Sequence, residues 1–382
     1  MTMLLNEEQG MLRDSAREFL QAQSPVALQR RLRDERVALG FDAALWRQAV
    51  DLGWTAAVFP EAQGGLAAGY AGLGAVFEQI GRQLAALPLL SSVVLGGELL
   101  LAAGDAAQQQ RWLPGVLDGG GRFALALDEQ RGRHAPHEIR CAARREAGGW
   151  VLDGDKWFVA DGIGARWLIV AAREQDEDGG ADQGLGLGLF VVDAESPGVA
   201  LTPLRLADSR NHARVQLAGV RVAEGMCLAA ADAATALDAA LDRARVLLAA
   251  ESLGLLRQVF EGTVAYLKER VQFDVVIGSF QALQHRVARL FAELELLESA
   301  VRGALAAIDA GSPELPLLAS LAKARASDLC EKLCNEAIQL HGGIGVTDEF
   351  DLGLFVKRAR VLQHTLGDGH FHRDRYARLK GF

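Results

Sequence analysis

From Asn6 to about Leu117 apolar residues recur at helical spacing, as in Met11, Leu12, Phe19 and Leu20 and again in Leu45, Val50 and Leu52, which predicts a helical region. The run Phe59-Pro60-Glu61-Ala62-Gln63-Gly64-Gly65 interrupts it, because proline and paired glycines stop a helix and make a surface turn. Between about Gly121 and Val222 the pattern changes to short apolar runs, FALAL, WVL, WLIV and LFVV, which predict strands. Gly148-Gly149 suits a tight hairpin turn. The Asp- and Gly-rich stretch 176–188 lacks the ligand spacing of a calcium loop and reads as a solvated loop. From Ala230 onward long helical patterns return over Leu237 to Val271, Phe280 to Ala310 and Pro316 to Leu340, the second with a stripe of Leu290, Leu294 and Leu297. This order predicts an α+β chain: an N-terminal helical domain at 1–119, a central antiparallel β domain at 120–226, and a C-terminal four-helix-type bundle at 227–382.

Composition narrows the function classes. With 382 residues and 50% hydrophobic content the chain can bury more than one core. Forty Lys+Arg against 49 Asp+Glu give a net charge of −9, the wrong sign for a nucleic-acid partner. Cys141, Cys227, Cys330 and Cys334 have neither the density of a disulfide scaffold nor the spacing of a zinc site, so a reducing compartment and no metal are expected. The first twenty residues lack the basic start and apolar run of a signal peptide, and the apolar stretch Ala85 to Leu95 is broken by Pro88, Ser91 and Ser92. A cytoplasmic protein without a membrane span is therefore expected.

Three segments carry chemistry: Glu269-Arg270-Val271-Gln272-Phe273 followed by Gly278-Ser279-Phe280-Gln281-Ala282-Leu283-Gln284; Gln339-Leu340-His341-Gly342-Gly343-Ile344-Gly345; and Asp242-Arg243-Ala244-Arg245. Arg270 offers a fork of donors for a pyrophosphate, Phe273 a ring for a flat aromatic system, and Gln281 a donor and an acceptor. Gly342-Gly343 lets a ligand approach the backbone, or equally caps a helix. Together with the helix, β, helix order these segments resemble the acyl-CoA dehydrogenase family over essentially the full length. Pro60-Glu61 with Gly64-Gly65, and Gly154-Asp155-Lys156 before Trp157-Phe158, are similar to further segments of that family.

The resemblance implies FAD held at a subunit interface, with Arg270, Phe273, Gln281, Gln339, Gly342 and Gly343 reaching the cofactor of a neighbour. The resemblance places Asp368 in the cofactor-facing set as well. It implies a homo- or hetero-oligomer, dimer or tetramer, an acyl-CoA substrate touched by Asp242 and Arg245, and an electron-transferring flavoprotein as redox partner. The bland reading of Asp242 and Arg245 is a helical i,i+3 ion pair. Phe158 stands where the family has a tryptophan against the flavin, and Ala160 where it has a hydroxyl. The family's Thr-Glu-Pro and Gly-Ser-Asp wording becomes Asp128-Glu129-Gln130 and Arg131-Gly132-Arg133, and a glycine- and proline-set turn becomes Phe273-Asp274 and Val275-Val276-Ile277.

The family reaction removes an acyl α-proton with a carboxylate as the β-hydrogen leaves as hydride. Most members carry that glutamate before a Gly-Thr near the C-terminus; here Leu366 holds the position. In the isovaleryl-CoA type it precedes the arginine matching Arg245, and here that residue is Ala244. Asp368 is the nearest substitute, with His364, His370 and His372 around it, whereas Glu251 lies seven residues beyond Ala244, about 10 Å along a helix, and is expected to pair or cap within the bundle. Two readings follow: an acyl-CoA dehydrogenase with a displaced base, or a base-lacking subunit that partners a related chain, as in the heteromeric dehydrogenases of steroid side-chain breakdown. A flavin oxidase or monooxygenase on the same fold is a third, with no residue in its favour.

Overall fold

The computed structural model describes residues 4–130, 134, 138–175 and 186–382. The Arg131-Gly132-Arg133 turn and most of the Asp/Gly stretch, 176–185, lie outside the described residues.

Six helices come first: α1 (Glu7–Gln23), α2 (Val26–Asp34), α3 (Ala43–Asp51), α4 (Gly69–Gln83), α5 (Glu98–Ala103), entered from a π-helical segment at Leu90–Gly97, and α6 (Ala106–Leu117). Their starts follow from local chemistry. Asn6 and Asp105 each open a reciprocal capping box with a glutamine three residues on, and Asp42 caps α3 through the amides of Ala44 and Leu45. The Pro60 run forms a short turn in which Gly64 takes φ 83°, and a Cβ on Gly65 would meet the Phe59 carbonyl oxygen at 2.0 Å.

The strands are β1 (Phe123–Ala126), β2 (Ala142–Glu146), β3 (Gly149–Ala160), β4 (Trp167–Gln175), β5 (Leu187–Asp193), β6 (Val199–Arg205) and β7 (Asn211–Ala223), in one sheet ordered β1-β4-β2-β3-β7-β6 with β5 also on β4. The turn between β2 and β3 falls one residue earlier than expected: Gly148 supplies the positive φ of 84°, and Gly149 already pairs with Ala223. The antiparallel expectation holds for β2–β3, β3–β7, β4–β5 and β6–β7, but β1 and β2 both run parallel to β4 along successive stretches of it, so the sheet is mixed. The long connections joining these strands are what permits parallel pairing.

The chain then forms α7 (Ala233–Glu269), a hairpin of β8 (Val271–Gln272) and β9 (Val275–Val276), α8 (Gln281–Asp309), α9 (Leu315–His341), α10 (Leu352–His364) and α11 (Gly369–Leu379). Among the described residues no helix is long and apolar enough to cross a membrane.

Two compact units result. One gathers the residues up to Arg31, Ala68–Ala85 and Arg245–Phe382; the other comprises Leu32–Ala67 and Ala86–Ala244. In the helical unit α9 packs on α8, α10 and α11, with Leu290, Leu294 and Leu297 of the α8 stripe buried. α4 meets α7 backbone to backbone: a Cβ on Gly81 would lie 1.9 Å from the Glu251 carbonyl oxygen, and one on Gly254 1.8 Å from that of Glu78. In the β unit Lys156 is fully buried, donating to the Leu127 carbonyl and to Glu129 at 2.9 Å. Glu129 also accepts from the amides of Arg140 and Cys141. Burial pushes its carboxyl up, yet Lys156 and the two amides win and hold it below the usual range.

Candidate functional site

In the helical unit Arg270 directly follows α7, its amide bonded to Tyr266 O at 2.8 Å and its carbonyl to Ile277 N at 2.8 Å, so the strand pair that follows is tied at its base. The hairpin turns through Phe273 and Asp274, both at positive φ, 55° and 64°. Such two-residue turns ordinarily carry Asn-Gly, so a phenylalanine here stores strain on the order of 1–3 kcal/mol. Phe273 is 87% exposed and meets Phe280 edge to face. Gln281 is the first residue of α8, also exposed.

The second segment lies beside the first. Tyr266 donates to the His341 carbonyl at 3.3 Å and its ring lies 4.5 Å from the His341 ring, which Phe350 meets on another side at 5.0 Å. This fastens the end of α9 to the Arg270 segment. Gln339 is exposed there, and Gly342, at φ 65° and ψ −142°, caps α9. A Cβ on Gly342 or Gly343 would meet nothing within 4 Å, so both glycines offer bare backbone. The cap reading and the ligand-approach reading therefore describe the same two residues. Arg270, Phe273, Gln281, Gln339, Gly342 and Gly343 are all exposed, and the cation, ring, amides and bare backbone they offer are chemically suited to a flat, anionic dinucleotide such as FAD.

In the β unit Phe158 sits at φ 55°, where the β3–β7 register slips between Lys156 and Val159. A β-bulge re-aims a side chain, and a phenylalanine at positive φ is a strained one. The ring is 51% exposed, its neighbour Trp157 6.1 Å away. The Arg214 guanidinium covers Trp157 at 4.7 Å and is held by Asp155 through contacts of 2.8 and 2.7 Å. Ala160 closes β3 opposite His212; the next carboxylate, Asp161, accepts from Ser91 Oγ at 2.6 Å. The structure therefore presents an aromatic face at Phe158 and no hydroxyl at Ala160 itself.

Neither position at which a base is expected carries an acid. Ala244 is fully buried in α7, and Leu366, at φ 55°, lies in the turn between α10 and α11. Asp368 is the N-cap of α11: its Oδ1 accepts from Phe371 N at 2.9 Å, and the amides of Phe371 and His370 hold its carboxyl below the usual range. A carboxylate so engaged is a weak proton acceptor. His364 and His370 are exposed, whereas His372 is buried, with Nε2 3.0 Å from the Leu366 carbonyl. Asp242 and Arg245 are both buried in α7, at 1% and 2% exposure, and the Arg245 guanidinium lies 5.9 Å from the ring of Phe371. Glu251 grips Arg358 of α10 through two contacts of 2.8 and 2.9 Å, the pairing role expected of it.

Three models of the acyl-CoA dehydrogenase family match in succession: the N-terminal domain over residues 6–120, the middle domain over 124–220 and the C-terminal domain over 211–379. The chain belongs to the acyl-CoA dehydrogenase family. It is 31% identical over 322 residues to acyl-CoA dehydrogenase FadE12 of Mycobacterium tuberculosis, covering 83% of this chain and 82% of that protein. Among solved structures it resembles the ChsE4-ChsE5 complex of Mycobacterium tuberculosis, with a TM-score of 0.88, 26% identity and coverage of 100% and 99% of the two chains. It also resembles a variant of the Tcur3481-Tcur3483 steroid ACAD, with a TM-score of 0.85, 30% identity and 99% coverage of each.

Sequence reasoning missed Lys323. It is the one charged residue in the stretch Ala319–Ala324, and helical spacing puts it on the face of Ala319, Ser320, Ser327 and Cys330, all buried. That stripe was the available signal. Glu129–Lys156 and Glu251–Arg358 carried none, since each pair joins residues far apart in the chain.

Proposed function

We propose that this acyl-CoA dehydrogenase is the base-lacking subunit of a heteromeric enzyme that α,β-dehydrogenates an acyl-CoA thioester. The observation that carries this reading is chemical: Leu366 and Ala244 occupy the two positions from which the family's carboxylate acts, and the nearest acid, Asp368, caps a helix. The likeness to two solved assemblies each named by a pair of chains supports the heteromeric part.

FAD, when bound, supplies the two-electron acceptor for the departing β-hydrogen. The residues of this chain that would hold it are Arg270 for the pyrophosphate, Phe273, Gln281, Gln339 and the Gly342–Gly343 backbone toward a neighbouring subunit's flavin, and Phe158 against its own. Asp242 and Arg245 serve the acyl-CoA. The segments 1–119, 120–226 and 227–382 act as the helical, β and bundle parts. α-Proton removal falls to the glutamate of the partner chain, and an electron-transferring flavoprotein takes the electrons onward. The assembly is a dimer or tetramer working in the cytoplasm on lipid or steroid substrates.

The test is turnover with an artificial electron acceptor over short, branched and steroid-like acyl-CoA thioesters. The homomer should be inactive, because losing general-base help removes a factor of about 10² to 10⁴. Leu366→Glu or Ala244→Glu should restore activity, or co-expression with a glutamate-bearing partner should supply it. Robust wild-type turnover abolished by Asp368→Asn would overturn the reading and give Asp368 the base role.

A further inference from the structure

The turn that carries position 366 is clasped from inside the protein. Leu366 and Gly367 both stand at positive φ, 55° and 105°. For Gly367 the reason is local, because a Cβ there would come within 2.3 Å of the Phe371 ring. For Leu366 a left-handed backbone is sterically unfavourable because of its Cβ and needs an external hold.

Two buried donors supply that hold. Lys323 Nζ, reaching from α9, donates to the carbonyls of Gln363 at 3.1 Å and Gly367 at 2.7 Å and to Ser327 Oγ at 3.1 Å, while Ser327 Oγ itself donates to Gln363 O at 3.1 Å. His372, from α11, places Nε2 3.0 Å from the Leu366 carbonyl. The carbonyls on both sides of position 366, and its own, are thus held by side chains that are 1% and 0% exposed. Among the described residues Lys323 bonds no carboxylate; its three acceptors are neutral oxygens. Burying an ammonium without a counter-charge is unfavourable, and a helix end can be capped by glycine or water without it. A lysine that spans the turn on either side of one residue fixes that residue's backbone, which capping alone does not require.

We propose that Lys323 and His372 are positioning residues that lock the backbone of position 366, so that the base seat stays preorganised in this chain although a leucine fills it. The inference rests on the reading of 366 as the family's base position and deepens it: a carboxylate introduced there would enter a seat already held.

The charged and titratable groups around the clasp are Cys330 on α9 itself, Arg245 from α7, and Asp368, His372 and Arg375 from α11, with His364 at the end of α10 and His370 on α11 facing Asp368. Burial pulls the Lys323 ammonium down to about 7, with Cys330 and Asp368 opposing and Arg245 adding to the fall. Opening the turn returns the amine to water, where it titrates near 10.5, so above about 7 the open turn binds a proton that the closed one lacks and the clasp tightens as pH rises through that value.

Hydrogen exchange read by mass spectrometry over residues 361–372 of the full chain tests this without flavin or substrate. Exchange of the Thr365 and Gly367 amides, corrected for intrinsic chemistry, should slow as pH rises through about 7 in the wild type. In Lys323→Met it should be about tenfold faster near pH 6 and show no such dependence, while α8 stays protected. Unchanged exchange in Lys323→Met, a pH dependence that survives it, or loosening spread over the whole bundle would overturn the proposal. If Lys323→Met fails to fold, the wild-type pH series decides alone. A slack turn defeats the clasp and leaves the turnover assay standing; an active wild-type homomer defeats the subunit reading and leaves the clasp standing.

Discussion

Lowering the pH should destabilise the helical unit through one residue, His372. Burial first, then the positive charges of Lys323 and Arg245, drive its imidazole from 6.5 down to about 2. Nδ1 finds no hydrogen-bond partner among the described residues, so a second proton there would gain nothing. The native state therefore keeps the ring neutral while the unfolded chain protonates it below 6.5. With more protons on the unfolded state between about 2 and 6.5, stability falls as pH falls through that window and is unaffected above it. At 1.36 kcal/mol per unit, the loss at pH 5 is about 2 kcal/mol. His372→Gln is the control, because its Nε2 can still donate to the Leu366 carbonyl but does not titrate. Urea unfolding of both proteins at pH 8, 6.5 and 5 gives the comparison. The variant should start lower at every pH, having lost the ring's packing, yet fall by about 2 kcal/mol less between pH 8 and 5. Lys323 is present in both chains; its folded value of about 7 against 10.5 unfolded raises stability with pH above 7 and cancels in the difference. Parallel curves would mean that His372 takes up a proton in the folded state, and the assignment of a neutral donor beneath Leu366 would be wrong.

Arg358→Met leaves the Glu251 carboxylate buried at 3% side-chain exposure without its counter-charge and should cost about 3–5 kcal/mol by chemical denaturation; adding Glu251→Leu should recover most of it. Gly254→Ala puts a methyl 1.8 Å from the Glu78 carbonyl oxygen, forces α4 and α7 apart, and should cost about 3 kcal/mol or prevent folding, read as melting temperature and soluble yield. Phe158→Gly removes an exposed ring and relieves a positive φ, so stability should stay within about 1 kcal/mol while the FAD-to-protein absorbance ratio of the assembly falls. Arg270→Ala should lower the same ratio by removing a charge-assisted contact worth roughly 1.5 to 3 kcal/mol.

The long helices were readable because their stripes are local: the Leu290, Leu294 and Leu297 repeat demands one buried face whatever that face meets. Asn6 with Gln9 and Asp105 with Gln108 mark helix starts three residues apart, again within one turn of chain. The mixed pairing of β4 was not readable, since parallel neighbours are chosen by connections and packing beyond any one strand. The hairpin at Phe273-Asp274 departs from the residues such turns prefer, so the local signal there pointed away from the turn that forms.

For the candidate site, the sequence by itself determined which residue types stand at the motif positions: Arg270, Phe273, Gln281 and the paired glycines at 342 and 343 are present, and no carboxylate stands at 366 or 244. These are matters of residue identity in a spaced motif and need no coordinates. Only the tertiary structure decided what each group is free to do. It committed Glu251 to Arg358 and Asp368 to a helix cap, joined the Arg270 segment to the Gly342 segment through Tyr266 and His341, and set Lys323 and His372 beneath position 366. The reason is burial, which makes an ionisable side chain depend on partners that lie tens of residues away, where no spacing rule along the chain can reach.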